Sequence, residues 1–291
     1  MNGKGNKVRV FNLSFLLLAG ATGCKSEEKD LLLAKVDLAI EEFIDNHLNK
    51  FIATEDEVVL DYYVVPAIKA LEDNGYDIKL KELVDVDKIN AYYSSYDYSS
   101  VASLFKATVI RKALGLNLDT VKTKLNELTE VDQWSYNYGL IALNITDVNS
   151  ELKQDLLTKV NVIKEEDYRD ADYAGVTLMA TSNDDINKES LHNLINTSLS
   201  KDGVITWGKA NSSSTANVIL GLLANGINPT SEEYTTDEVN LIEALLTYES
   251  DGAFVNELDK DVDLMFATPQ AFAALVAYKI FVNTHKFNLF G

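Results

Sequence analysis

The chain is poor in residues that interrupt helices and in residues that carry metal or redox chemistry. It has three prolines, one cysteine and three histidines among 291 residues. A single cysteine excludes an internal disulfide. With His47, His192 and His285 as the only imidazoles, the chain cannot build the Asp/Cys/His zinc site of a transferase or a Cys–His nucleophilic pair, and no local motif supports a Ser–His–Asp triad. Basic residues are scarce too: 26 Lys and Arg stand against 45 Asp and Glu, a formal charge of −19. Nucleic-acid binding needs a basic surface to meet phosphates, so that class is excluded, and charge-driven attachment to anionic lipid with it. Sustained alternation of apolar and polar residues is missing, and beyond the first residues no apolar run could span a bilayer.

What the first residues contain is the layout of an export signal. Lys4, Lys7 and Arg9 form a basic start, residues 10–19 an apolar core too short to span, and Ala21, Thr22 and Gly23 a run of small residues before Cys24. A cysteine directly after small residues resembles the bacterial lipobox, in which the thiol receives diacylglycerol before cleavage. Ala21 stands where leucine is commoner, and an ordinary cleaved signal with an incidental cysteine is the alternative. Lipidation gives the lone thiol a use. The expected organisation is a signal peptide over 1–23, a short lipidated tether over 24–29 and one domain over 30–291. The membrane is then a partner through acyl chains at Cys24, on the extracytoplasmic face, and the chain is expected to be a monomer.

Helix is the dominant pattern of that domain. One-sided surface helices, such as 187–199 with Leu191, Leu194, Ile195 and Leu199 on one face, alternate with segments apolar on most faces: 136–145, 171–180, 216–224 and 271–282. Helices apolar all round must be surrounded by others. A stop signal recurs after them: Gly75-Tyr76-Asp77, Gly115-Leu116-Asn117, Asn144-Ile145-Thr146, Asp185-Ile186-Asn187 and Gly226-Ile227-Asn228. Each offers a residue tolerant of left-handed backbone, an apolar residue to fold back on the last turn, and a side chain able to cap the next helix. Recurrence about every forty residues, with one shorter interval, is the mark of helix-pair repeats. The stretch 211–229 (NSSSTANVILGLLANGINP) puts both ends in one place, with Asn211, Ser212, Ser213 and Ser214 to cap an inner helix and Asn225 to Pro229 to end it.

Twelve helices are expected, at 30–50, 56–74, 79–93, 97–114, 118–128, 132–143, 148–162, 167–181, 187–199, 213–224, 236–248 and 268–284. They make six outer–inner pairs. The last is as apolar as the middle ones, where an open stack would need a polar end cap. The expected fold is therefore all-α, a closed (α/α)6 toroid.

Four short motifs now carry a resemblance. Asp202-Gly203-Val204-Ile205-Thr206-Trp207 and Asp251-Gly252-Ala253-Phe254 resemble the Asp-Gly-x-aromatic turns of the terpenoid cyclase and protein prenyltransferase toroids. Ser214-Thr215-Ala216 and Thr268-Pro269-Gln270-Ala271 resemble the starts of their inner helices. The chain is most similar to secreted bacterial prenyltransferase-like or squalene-cyclase-repeat proteins, kin in fold to cobalamin-binding transport proteins, over about 167–291. The catalytic parts of that superfamily are missing. Asp85-Val86-Asp87-Lys88 and Asp261-Val262-Asp263-Leu264 each lack the last acid of the cyclase Asp-x-Asp-Asp motif, and the zinc ligands of the transferases and the reactive cysteine of the thioester-forming relatives are absent. No cofactor and no metal are expected. Asp259, Asp261 and Asp263 are spaced like the start of a calcium loop, but Leu264 and Gln270 stand where an EF-hand needs Gly and Glu. Asn144-Ile145-Thr146 matches the glycosylation pattern but falls at a helix junction, and His192 is read as exposed on an outer helix.

In a closed toroid the starts of the inner helices converge at one mouth. They carry Asp56, Asp61 and Tyr62; Tyr96, Asp97 and Tyr98; Asp132, Trp134 and Tyr136; Tyr168, Asp172 and Tyr173; Asn211 to Ser214; and Asp263, Phe266 and Gln270. Aromatic faces among carboxylates and amides suit a sugar, a corrinoid-sized ligand or a cationic group. The candidate binding residues are Tyr62, Tyr98, Asp132, Trp134, Asp172, Tyr173, Trp207 and Gln270. The competing reading is that the rings pack the hub and the acids cap helices. The expected function is a non-catalytic module that binds a small molecule, a glycan or a surface protein. A carbohydrate-active enzyme using a pair such as Asp132 and Asp172 is the alternative, and a terpene-processing enzyme the third.

Overall fold

The computed structural model describes residues 25–160 and 169–291, and every structural statement here concerns those residues. Cys24, Tyr168 and the expected signal peptide lie outside them. The chain is all-α, with thirteen α-helices and nine strands of two to four residues. α1 (Lys25–Asn46) is followed by a hairpin of β1 (Ile52–Ala53) and β2 (Val59–Leu60), then α2 (Val64–Asp73), α3 (Leu80–Leu83), α4 (Val86–Ser94) and α5 (Val101–Ala113). Next come α6 (Asp119–Glu127), α7 (Tyr136–Thr146), α8 (Ser150–Val160), α9 (Ala171–Ala180) and α10 (Glu189–Asn196). An antiparallel sheet of β3 (Leu199–Ser200), β4 (Gly203–Thr206) and β5 (Lys209–Ala210) leads into α11 (Ser212–Ala224). The hairpin of β6 (Thr235–Thr236) and β7 (Val239–Asn240) precedes α12 (Leu241–Leu246), and that of β8 (Glu249–Ser250) and β9 (Ala253–Phe254) precedes α13 (Ala267–Thr284).

Several expected limits need correction. The helix expected over 79–93 is two, because Asp85 is extended and its carboxylate accepts from the N–H groups of Asp87 and Lys88, both at 3.0 Å, to start α4 afresh. The helices expected from 56 and 236 begin later, at Val64 and Leu241, behind hairpins too short to show any alternation.

The stop signals work as expected at the glycines. Gly75, Gly115 and Gly226 have φ of 85°, 65° and 75°. The next N–H reaches back five residues each time: Tyr76 to Leu71 at 3.1 Å, Leu116 to Arg111 at 2.8 Å, Ile227 to Leu222 at 3.0 Å. These are Schellman ends, and Tyr76, Leu116 and Ile227 pack against the core as such ends require. Asn144 and Asp185 do not behave this way. α7 runs on to Thr146, and Asp147 takes the left-handed position at φ 52°.

Packing follows a definite order. α2 packs on α5, α5 on α7, α7 on α9, α9 on α11, α11 on α13, and α13 on α2. α6, α8, α10 and α12 lie against members of this series, and α1 lies against α13 and α12. Val218, Ile219, Leu222 and Leu223 of α11 are fully buried, each contributing about 1.5–3 kcal/mol. The α9–α11 contact is closest: a Cβ on Gly221 would sit 2.3 Å from the carbonyl oxygen of Gly175, so only glycine fits. First and last helices are joined by Phe43 stacked on Phe272 at 3.8 Å and by the Lys279–Asp37 ion pair, which makes α1 antiparallel to α13. At the C-terminal end of α1, Asn46 donates to the Asp251 carboxylate at 2.9 Å.

The segment 287–291 crosses the C-terminal ends of α5, α7, α9 and α11. Phe287 N–H donates to Leu223 O, Asn288 to Met179 O and Ser182, and Lys112 to Phe290 O. The Phe290 ring is buried, 5.4 Å from Phe105 and 5.7 Å from Tyr63. A cavity of about 100 Å³ lies beside it, lined by Lys112, Ile141, Asn144 and Met179 among others.

Candidate functional site

The first turns of α2, α7, α9 and α11 meet around one carboxylate. Asp170 caps α9 by accepting from Tyr173 N–H at 3.1 Å, which sets Asp172 in the first turn, at the positive end of the helix. Opposite it stands Asn217, an amide in a helix otherwise apolar at that depth. Asn217 Nδ2 donates to Asp172 Oδ1 at 2.9 Å, and Tyr63 Oη donates to Asn217 Oδ1 at 2.9 Å. Ser214 also hydrogen-bonds Asp172, and Ser214 Oγ lies 2.9 Å from Thr206 Oγ1. Asn211 caps α11 as expected, accepting from Ser214 N–H at 2.9 Å. Tyr62 and Tyr138 hydrogen-bond each other beside this chain, and Tyr138 stacks on Phe105 at 4.7 Å.

Burial dominates the electrostatics. It pushes the Asp172 carboxyl above the usual range, with the Asp170 charge adding and the Asn217 and Ser214 hydrogen bonds opposing. Asp61 is raised by burial as well, against its bonds from Val64 and Tyr63 N–H and the nearby Lys106. The phenols of Tyr62, Tyr63 and Tyr138 are raised by burial and stay protonated. Asp172 thus holds its proton to a higher pH than a surface aspartate does.

A stability test follows from that direction. A carboxyl raised in the folded state contributes stability that is present below its unfolded value and is lost as pH rises through its folded value. At neutral pH Asp172 is therefore a burden, and Asp172→Asn is expected to raise the urea midpoint at pH 7, with the gain shrinking toward pH 4. A midpoint that falls at pH 7 would show instead that the charged form is held favourably.

Two side-chain oxygens in the first turns of α11 and α13 are buried and lack a hydrogen-bond partner: Ser213 Oγ and Gln270 Oε1. Ser213 lies one turn before Asn217, on the side of α11 turned away from Thr215, whose hydroxyl meets Val204 of β4. Gln270 lies on the side of α13 away from Phe272 and Lys279, which face α1. Both therefore face inward with Asn217. Buried polar atoms are nearly always satisfied, so unpartnered ones mark a place of interest.

The expected site residues fare unevenly. Tyr62 and Asp172 belong to the cluster, and Gln270 is buried in the first turn of α13. Tyr173 is half-buried beside it, with the Arg169 guanidinium 5.0 Å from its ring centre. Tyr98 is elsewhere, donating to Tyr93 O at 3.1 Å within a patch of tyrosines that includes Tyr96. Asp132 is exposed and accepts from Trp134 N–H at 3.0 Å, a local turn. A second carboxyl stands beside the cluster in Asp61, next to Tyr62 and Tyr63. Trp134 and Trp207 are 66% and 87% exposed. His192, expected to be exposed, is half-buried, its Nδ1 3.2 Å from Tyr234 Oη. Asp263 accepts from Met265 and Phe266 N–H, and among the described residues no group of His, Cys, Asp or Glu is arranged to hold a metal. No described helix is long and apolar enough to cross a membrane. Tyr63, Tyr138 and Asn217 were not singled out from sequence; the signal available was a polar or phenolic residue inside an otherwise apolar helix.

No protein family, curated protein or solved structure matches this chain, so the likeness to cyclase and prenyltransferase toroids rests on the four motifs quoted above.

Proposed function

We propose that the chain is a closed (α/α)6 toroid of the terpenoid cyclase and prenyltransferase kind. It is exported and held on the outer face of a bacterial membrane through Cys24, and it binds a hydroxyl-rich ligand, a glycan or glycan fragment, in the mouth around Asp172. The order of packing supports closure, since α13 returns to α2 and α1 seals the seam. The observation that carries the binding reading is the pair of unpartnered buried oxygens, Ser213 Oγ one turn before Asn217 on α11 and Gln270 Oε1 in the first turn of the adjoining α13. These two groups present acceptors to ligand hydroxyls beside the already hydrogen-bonded Asp172, and a sugar returns the hydrogen bonds that burial withholds. Exposed Trp134 on the rim supplies a flat face for a ring.

The test is thermal shift and titration against oligosaccharides, peptidoglycan fragments and corrinoids, followed by variants. Gln270→Ala is expected to weaken binding by about 1 kcal/mol, a few-fold in Kd, and Trp134→Ala by about 1–3 kcal/mol. No shift with any ligand, joined to a gain in stability for Gln270→Leu, would make Gln270 an ordinary packing defect and sink the proposal. One observation favours a second, enzymatic reading: the raised carboxyl of Asp172 beside two protonated phenols is fit for proton transfer. On that reading Asp172→Asn abolishes glycan turnover while binding survives.

A further inference from the structure

Beside the mouth lies a surface of different character. Trp207, Met265, Phe266 and Leu258 are 87%, 74%, 55% and 53% exposed, and Ile205 and Val262 are exposed with them. They come from two segments fastened side by side. The β4–β5 hairpin carries Ile205 and Trp207, and the loop before α13 carries the other four. Lys209 pairs with Glu257 at 2.6 Å, Ser212 N–H donates to Asn256 O at 3.0 Å, and Val255 bridges Val262. The display is built rather than incidental. Asp263 Oδ1 accepts from Met265 N–H at 2.8 Å and Phe266 N–H at 3.0 Å, fixing the turn that leaves both side chains outside. Trp207 and Gly208 form the hairpin turn with φ of 55° and 85°. Such a turn favours Asn-Gly, and a bulky side chain there is strained. The hairpin thus carries a strained tryptophan that packs on almost nothing, and strain of that kind gathers at functional positions.

The shape and charge of this lip select its occupant. Aliphatic and thioether side chains outnumber the flat rings on which a sugar stacks, so the lip suits an apolar helix face. Glu257, Asp259, Asp261 and Asp263 stand around it against Lys209 and Lys260. A surplus of acid there, in a chain of formal charge −19, opposes an anionic membrane and a second copy of the same lip. Asn46 is the end of α1 near this side, and Lys25 lies at the far end of that helix. We infer that the lip is a docking surface for a cationic amphipathic helix of a partner protein, with leucine-like side chains over Trp207 and Met265 and lysines against Asp259 and Asp261. This inference does not depend on what occupies the mouth.

The experiment titrates the whole chain with a fluorescently labelled 18-residue leucine–lysine helix-forming peptide, a leucine–glutamate counterpart, and vesicles of phosphatidylcholine alone or with phosphatidylglycerol. The lysine peptide is expected to bind, and at least ten-fold more weakly to Trp207→Asn/Met265→Ser. Asp259→Asn/Asp261→Asn should weaken it and flatten its salt dependence. Trp207→Asn introduces the favoured turn sequence, so its thermal midpoint should hold or rise, which separates lost docking from lost fold. Equal binding by all variants, or no binding of the lysine peptide, would overturn the inference. So would a preference for the glutamate peptide or for either vesicle, or self-association in sedimentation that Trp207→Asn abolishes.

Discussion

A chain cut before Ala267 is expected to lose cooperative unfolding altogether. α13 is buried from Ala267 to Phe281 and touches α11, α2 and α1 at once. Its Phe272, Leu275, Val276, Ile280 and Phe281 alone account for roughly 8–15 kcal/mol of burial at about 1.5–3 kcal/mol each, as much as the whole net stability of an ordinary domain. Removing it also strands Asp37, the partner of Lys279, and uncovers Phe43. Urea denaturation followed by far-ultraviolet circular dichroism reads the outcome. A soluble truncated protein with an unchanged, sharp transition would mean an open stack of helix pairs instead of a ring. Phe290→Ala is the gentler version: it removes the ring behind Tyr63 and should cost about 3–5 kcal/mol, the range for a large aromatic deleted from a core.

Cys24→Ala is expected to move the protein from the membrane fraction to the soluble one, or to stall it as an uncleaved precursor. The reason is the basic start, the short apolar core and the lone cysteine behind Gly23. The formal charge of −19 works against adhesion to anionic lipid, so charge is not expected to compensate for lost acyl chains. Fractionation with immunoblotting decides it. A correctly cleaved mutant that stays with the membrane contradicts the lipoprotein reading.

How much could be read ahead of the structure depended on how local each signal was. The glycine stops at Gly75, Gly115 and Gly226 were legible because a left-handed residue and the apolar residue after it complete the motif within a few positions. Asn144 was misleading. Its amide donates to Ala180 O at 2.8 Å on the neighbouring helix, a use that local sequence does not reveal. The hairpins escaped notice because two-residue strands are shorter than one period of alternation. The heart of the site was the least legible part. Tyr63 and Asn217 are 154 positions apart, and Asp172 and Asn217 45 apart, so only the packing of whole helices brings them together. Asp172, Gln270 and Asp132 were legible as polar residues at helix starts; the structure puts Asp172 against Asn217 and Asp132 in a local turn with Trp134.

The Phe290 ring lying behind Tyr63 has a consequence for the proposed glycan binding. On the proposed reading, a ligand entering beside Asp172 would meet the Tyr63 phenol with the Phe290 ring packed behind it, so its way through would be blocked. A glycan bound there would then insert a terminus or a short branch and leave by the way it came. Fragments of increasing length should therefore gain affinity only up to the length that the site covers, with each further unit remaining in solvent.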